Sequence, residues 1–75
     1  MTSQESLGKR VRFLRKQKGL SQFDLSLEAG VNKNYISDLE KGRRNPTLSV
    51  IERIADALGV SLETLFKGVE SIPGL

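Results

Sequence analysis

The sequence predicts an all-α fold of five short helices, and three observations carry that prediction. Apolar residues recur at steps of three and four along most of the chain, which is the period of an amphipathic helix. The segments with this period are joined by short connections that leave no room for a β-sheet. Each segment is followed by a glycine, the residue that most readily ends a helix; these are Gly19, Gly30, Gly42, Gly59 and Gly68.

Helix 1 is predicted from about Ser6 to Lys18, because Leu7, Val11 and Leu14 are spaced to make one apolar stripe. Gly19 ends this helix.

Helices 2 and 3 form a pair around a tight turn at Gly30. Ser21 is suited to cap the first helix, with Asp24 three residues later as its capping-box partner. Asn32 is suited to cap the second, which ends before Gly42. The apolar residues expected to be buried in this pair are Leu25, Ala29, Val31, Ile36 and Leu39.

Helices 4 and 5 follow a loop that ends at Pro46, a residue that keeps helix 3 from continuing. Thr47 is suited to cap helix 4 and Ser61 to cap helix 5. The apolar stripe of helix 4 is expected to contain Leu48, Ile51, Ile54, Ala55 and Leu58. That of helix 5 is expected to contain Leu62, Leu65 and Phe66.

The composition limits what kind of protein this is. At 75 residues we expect a single domain over 1–75, with its core in about 6–67 and an irregular tail over 68–75. The chain has no cysteine and no histidine, so neither disulfides nor thiolate or imidazole metal ligands are available, and no cofactor is expected. No apolar run approaches the ~20 residues that span a bilayer, and the N-terminus lacks the layout of a secretory signal. A cytoplasmic location is therefore expected.

Charge is distributed unevenly along the chain. Residues 1–46 hold ten Lys or Arg against five Asp or Glu, whereas residues 47–75 hold two against four. The basic part contains the helix pair, which favours a polyanion as its partner. The alternative is the ordinary excess of lysine found on many small domains.

The helix pair points to DNA. Two helices that cross over a short turn containing glycine form a helix-turn-helix, whose second helix enters the DNA major groove. The polar face of helix 3 carries the expected base-contacting residues, which are Lys33, Asn34, Ser37 and Asp38. An acidic side chain facing phosphates is unfavourable, so an ion pair between Asp38 and a nearby arginine is an equal possibility.

Residues around the pair are expected to contact the DNA backbone. Gln22, at the first position of helix 2, is placed to bond a phosphate. Arg43 and Arg44 follow helix 3 as phosphate ligands, with Asn45 beside them. Tyr35 is expected either to bond a backbone phosphate or the minor-groove edge, or to pack at the boundary of the core.

Two further sets of residues are expected to be structural. A buried ion pair between Arg15 and Glu40 would join helix 1 to the end of helix 3. Helices 4 and 5 have more apolar residues than one side of a small bundle can cover. The surplus residues, expected to form a homodimer interface, are Val50, Leu62, Phe66 and Val69. A two-fold dimer would set two recognition helices about 34 Å apart, one turn of DNA.

The residues that form the helix pair resemble the helix-turn-helix of the Xre and phage-repressor (Cro/C1-type) family, which has a five-helix lambda-repressor-like fold. The similarity extends over about residues 7–66. Its motif residues are Ser21-Gln22, Leu25, Ala29-Gly30-Val31, Ile36-Ser37, Leu39-Glu40, Gly42, Ala55, Leu58-Gly59-Val60 and Leu65. Residues 35–46 resemble the controller proteins of restriction–modification systems. The resemblance implies a transcriptional regulator that binds a pseudo-palindromic operator as a homodimer, with Gln22 on phosphate and Lys33, Asn34 and Ser37 facing bases.

Four positions depart from the family pattern. Ser26 stands where a small apolar residue is common, whereas Phe13, Phe23 and Leu27 are apolar where polar residues are usual. These residues indicate either local repacking or a contact patch for a protein partner. The alternative function is accordingly a protein-interaction module on the same fold, such as an antitoxin or an antagonist. No pattern of nucleophile and base or of paired carboxylates is visible, so an enzyme is not expected.

Overall fold

The computed structural model describes residues 2–67, which form five α-helices and, within that range, no β-strand. The helices are α1 (Ser3–Gln17), α2 (Gln22–Ala29), α3 (Lys33–Glu40), α4 (Leu48–Leu58) and α5 (Leu62–Phe66). The all-α prediction is confirmed. The predicted tail over 68–75 lies outside the described residues. No helix of residues 2–67 is both long and apolar enough to cross a bilayer.

Helix 1 was predicted from about Ser6 to Lys18, and its predicted start was wrong, because α1 begins at Ser3. The helix ends at Gln17, with Lys18 as its C-cap. A capping box explains the earlier start. The Thr2 hydroxyl accepts the Glu5 backbone N–H at 3.1 Å, and the Thr2 N–H donates to the Glu5 carboxylate at 3.0 Å. The added turn has no aliphatic residue, so apolar spacing did not reveal it.

The other four N-terminal caps were predicted correctly. In each, the side-chain oxygen accepts a backbone N–H from the first turn of its helix; these caps are Ser21, Asn32, Thr47 and Ser61. The predicted capping box between Ser21 and Asp24 is also present. Glycines with φ between 69° and 76° follow the helices or their last turn, at Gly19, Gly30, Gly42 and Gly59. These polar caps and left-handed ends determine where each helix can pack.

One core is formed by all five helices. Helix α2 packs against α3 and α4, while α1 packs against α3 and α5. The side chains that are almost completely buried come from every helix and are Val11, Leu25, Ile36, Leu39, Ile54 and Leu65. The two helices of the predicted DNA-reading pair are therefore held by the whole bundle.

Leu48 was predicted to belong to the buried stripe of helix 4, and this prediction was wrong. Its side chain is 61% exposed. Leu48 is the first residue of α4, and side chains on a helix tilt toward its N-terminus, so this one leans toward the preceding loop. Ile54, two turns along, is buried.

Candidate nucleic-acid interface

Helix α3 presents a polar outer face. Lys33 and Asn34, in its first turn, are exposed, while Ser37 and Asp38, one turn on, are half-buried. The opposite face buries Ile36 and Leu39 in the core. The four residues predicted to contact bases therefore lie on one short helix whose other side is fixed. Side chains of these types supply the hydrogen-bond donors and acceptors that read base edges.

The predicted ion pair between Arg15 and Glu40 is present and buried. Arg15 Nε donates to Glu40 Oε2 at 2.6 Å, and Arg15 Nη2 donates to Oε1 at 3.0 Å. The third guanidinium nitrogen, Nη1, donates to the carbonyl oxygen of Leu20 at 2.8 Å. One guanidinium thus joins α1, the end of α3 and the segment that leads into α2. Charge-assisted bidentate pairs of this kind fix geometry as well as supplying energy.

Gln22 makes a contact that the sequence did not indicate. Its side-chain Nε2 donates to Glu40 Oε1 at 3.1 Å, so the amide extends the ion pair onto α2. A glutamine amide has a second N–H and a carbonyl oxygen. A phosphate contact by Gln22 would therefore use the second N–H, and Glu40 would hold the amide in place.

Gly8 allows α1 to approach the end of α3 closely. A Cβ atom at this position would fall against the carbonyl oxygen of Leu39 and lie 2.9 Å from that of Glu40. Both oxygens belong to backbone that cannot rotate away. A glycine within an otherwise helical pattern is a recognised sign of such an approach, and this residue was not among those selected from the sequence.

The loop after α3 brings its basic residues beside the helix. Arg43, Arg44 and Asn45 are all exposed. The Arg44 guanidinium stacks on the Tyr35 ring, with Cζ 5.3 Å from the ring centroid, and Arg44 Nη2 lies 3.6 Å from Asp38 Oδ2. Of the two roles proposed for Asp38, the ion pair with a nearby arginine is the one formed here.

Gly42 positions this loop against α1. Its φ is +76°, and a Cβ there would lie 2.7 Å from the Glu5 Cγ atom and 2.9 Å from the Glu5 Cα atom. The loop can follow this path only because the residue has no side chain.

Of the six basic residues in α1 and its C-cap, Lys18, three bond to other parts of the fold. Arg10 Nη2 donates to the carbonyl oxygen of Thr64 at 2.9 Å, near the end of α5, and Lys18 Nζ donates to that of Ala57 at 3.2 Å, near the end of α4. Arg15 is the third. Cations at the carboxyl ends of helices satisfy carbonyls that have no partner within the helix. Counting charges along the sequence could not separate these residues from Lys9, Arg12 and Lys16, which are exposed.

Three of the four residues predicted at a dimer interface lie on α4 and α5. Val50, Leu62 and Phe66 are half-buried and pack against the core, so part of each remains open to a partner. Val69 lies outside the described residues. Beside Phe66 is a cleft of about 210 Å³, which Leu7, Pro46 and Ile51 also line.

Three of the four residues that depart from the family pattern are on the surface, and Ser26 is not. Phe13, Phe23 and Leu27 are 52%, 56% and 65% exposed. Ser26 is buried and its hydroxyl donates to the carbonyl oxygen of Phe23 at 2.6 Å, which explains how a polar residue is accommodated there.

A family model described as helix-turn-helix matches residues 11–65. The uncharacterized HTH-type transcriptional regulator y4dJ of Sinorhizobium fredii is 37% identical over 73 residues, which are 97% of this chain and 95% of that protein. The immunity repressor protein of Bacillus phage phi105 is 35% identical over 60 residues. The match covers 80% of this chain but only 42% of the length of the phage protein.

A solved structure provides a further comparison. The restriction-modification controller protein C.AhdI from Aeromonas hydrophila superposes with a TM-score of 0.81 and 39% sequence identity. The match covers 83% of this chain and 94% of that chain. The backbone arrangement described above is therefore shared over nearly the whole controller protein.

Proposed function

Because the chain belongs to the helix-turn-helix family, we propose that it is a DNA-binding transcriptional regulator that reads an operator with α3. The observation that carries this proposal is the exposed pair Lys33 and Asn34 in the first turn of that helix. In this motif the N-terminal turn of the second helix leads into the major groove. Lysine donates to guanine O6 and N7, and asparagine pairs with adenine N6 and N7. Ser37 and Asp38 would reach bases from the next turn.

Contacts to the DNA backbone would orient this helix. Arg43, Arg44 and Asn45 are exposed in the loop after α3, where their side chains would reach phosphates. Gln22 and Tyr35 are half-buried at the edge of the same surface. These contacts carry no sequence information, but they supply much of the affinity.

A homodimer on a pseudo-palindromic operator is supported by the half-buried apolar side chains of α4 and α5. The half-open apolar side chains of Val50, Leu62 and Phe66 are suited to pack against a second copy across a two-fold axis. The similarity to the controller protein C.AhdI supports a role as a restriction–modification controller, whereas the similarity to the phage protein supports a stand-alone repressor. Either role places the protein in the cytoplasm.

The second candidate function, a protein-interaction module, is favoured by Phe13, Phe23 and Leu27, three exposed apolar residues at positions where polar residues are usual in the family. Large apolar side chains that are open to solvent are available to contact another protein. Lys33 and Asn34 in the first turn of α3, together with Arg43 and Arg44 in the loop after it, favour DNA instead. Acidic or bulky apolar residues at these four positions would have favoured a protein partner.

The experiment that tests the proposal is selection of bound sequences from a random DNA pool, followed by titration against salt. Recovery of an inverted repeat, with affinity that falls steeply as salt rises, supports a dimeric operator-binding regulator. If the recovered pool stays random, the DNA-binding proposal is wrong and the interaction module is to be tested by pull-down of a partner.

The roles of individual residues give a sharper prediction. Lys33→Ala should cost about 1–3 kcal/mol of discrimination between the operator and its base-substituted variants, because one base contact is lost. Arg43→Ala should weaken binding to all sequences alike and lower the salt slope by about one, because one phosphate contact is lost. Equal losses on operator and random DNA for both variants would refute this division of roles.

A further inference from the structure

One cation of the proposed DNA-facing surface is already paired with an anion of the same surface. Arg44 Nη2 lies 3.6 Å from Asp38 Oδ2, and the side chains of these residues are 51% and 36% exposed. The Tyr35 ring lies under the guanidinium, which keeps it beside α3. A carboxylate oxygen and a phosphate oxygen are equivalent acceptors for an arginine. Asp38 therefore binds the Arg44 guanidinium in the same way as a DNA phosphate would be expected to bind it.

We propose that Asp38 is a specificity-determining residue that competes with DNA phosphates for Arg44, an inference that rests on the DNA-binding function proposed above. Binding to any duplex requires Arg44 to exchange the carboxylate for a phosphate. The exchange leaves Asp38 without its partner near a polyanion, which opposes binding. On random DNA nothing offsets that cost. On the operator, the freed carboxylate accepts a hydrogen bond from a cytosine amino group, which offsets it.

The geometry of the Arg44–Asp38 pair favours exchange of the carboxylate for a phosphate over permanent pairing with the carboxylate. The contact from Arg44 Nη2 to Asp38 Oδ2 is 3.6 Å long, which is longer than a charge-assisted hydrogen bond. Half-exposed pairs of this kind are weak and easily broken. By contrast, the Arg15–Glu40 pair is bidentate and buried, and it would stay intact on DNA.

The test uses four proteins: wild type, Asp38→Ala, Arg44→Ala and the double variant. Each is titrated against a duplex of random sequence and against the selected operator, over a range of salt concentrations. Asp56→Ala is the matched control, because Asp56 is an exposed aspartate on α4 and its loss changes the net charge by the same amount. Circular dichroism verifies that each variant is folded.

We expect Asp38→Ala to bind the random duplex about threefold to tenfold more tightly than Asp56→Ala does, with a salt slope steeper by about one. The ratio of operator to random affinity should fall. Arg44→Ala should cost more affinity for random DNA in the Asp38→Ala background than in the wild type, because only the wild-type arginine must first leave the carboxylate.

Two results would overturn the proposal. The first is random-DNA binding by Asp38→Ala that is no tighter than that of Asp56→Ala. The second is a smaller cost of Arg44→Ala in the Asp38→Ala background, which would mean that Asp38 positions Arg44 for phosphate instead of competing for it. Either result leaves DNA binding by the wild type intact. Failure of the wild type to bind any duplex would refute the proposed function and this inference together.

Discussion

At the scale of single residues, replacing Gly8 with alanine would have two opposing effects on the stability of the fold. Alanine favours a helix over glycine by about 1 kcal/mol, so helix propensity alone predicts that Gly8→Ala stabilises α1. The new methyl group would, however, fall against the carbonyl oxygens of Leu39 and Glu40. Moving backbone in a packed interior typically costs about 1–3 kcal/mol or more. We expect the steric cost to exceed the gain in propensity.

The expected outcome for Gly8→Ala is a lower midpoint of thermal unfolding, measured by circular dichroism. Gln17→Ala, at an exposed position of the same helix, serves as the comparison. A midpoint at or above that of the wild type would mean that α1 and α3 separate easily, in which case the close approach is not important for stability.

The Arg15–Glu40 pair gives a second prediction at this scale. Glu40→Ala would leave the Arg15 guanidinium buried without its carboxylate, and would also remove the acceptor of the Gln22 amide. The expected loss is about 3–5 kcal/mol in the free energy of unfolding, measured by urea denaturation. The double variant Arg15→Leu, Glu40→Leu should lose less, because no charge is left unpaired. A larger loss in the double variant would show that the pair itself stabilises the fold.

At the scale of the helix, the capping box of α2 predicts a dependence on pH. Hydrogen bonds from the Ser21 backbone N–H and from the Ser21 hydroxyl lower the pKa of Asp24 from its ordinary value of 3.8. A carboxyl group with a lowered pKa in the folded state stabilises that state above its unfolded pKa, and this contribution is lost as pH falls through the folded value. The contribution of Asp24 is therefore full above pH 3.8 and disappears in more acidic solution.

Titration of the Asp24 carboxyl by NMR checks this prediction. We expect a pKa below 3.8 in the wild type and a smaller shift in Ser21→Ala, which retains the backbone donor but lacks the hydroxyl. An unchanged pKa in Ser21→Ala would assign the whole shift to the backbone bond.

At the scale of the helix, the N-terminal caps show how much of the fold could be predicted from the sequence. Caps at Ser21, Asn32, Thr47 and Ser61 were found because each follows a turn and precedes an apolar pattern. Thr2 was missed because a turn of polar residues separates it from Leu7. A cap is a local feature, so it can be read only where the helix that it begins is itself recognisable.

The composition of the candidate site was predictable, but of its internal connections only the Arg15–Glu40 pair was fully predicted. The sequence placed Lys33, Asn34 and Asp38 on one face through helical spacing, and the structure agrees. It could not show that Gln22 bonds to Glu40. It offered an ion pair between Asp38 and a nearby arginine, but it could not identify Arg44 as that arginine. Such contacts depend on the paths of loops and on rotamers, which apolar periodicity does not encode.

At the scale of the whole molecule, the half-buried apolar side chains of α4 and α5 predict the oligomeric state. Leu62→Asp would place a charge at the proposed dimer interface, where it could not be solvated. We expect monomers in sedimentation equilibrium and at least tenfold weaker binding to the operator, because two half-sites would no longer be bound together. Leu48→Asp, at an exposed residue outside the proposed interface, is the control. Dimers that persist in Leu62→Asp would place the interface elsewhere.

The basic residues of α1 and of its C-cap affect how fast the chain folds and whether a fragment of it can keep its structure. Arg15, Lys18 and Arg10 bond to residues that are 25, 39 and 54 positions further along the chain, near the ends of α3, α4 and α5. These contacts form only after long loops have closed, a step that slows folding relative to bundles with purely local contacts. A peptide that contains only α2 and α3 would lack Arg15, Lys18 and Arg10, so none of these contacts could form. Excised from the chain, the helix pair would have DNA-reading side chains but no fixed shape on which to present them.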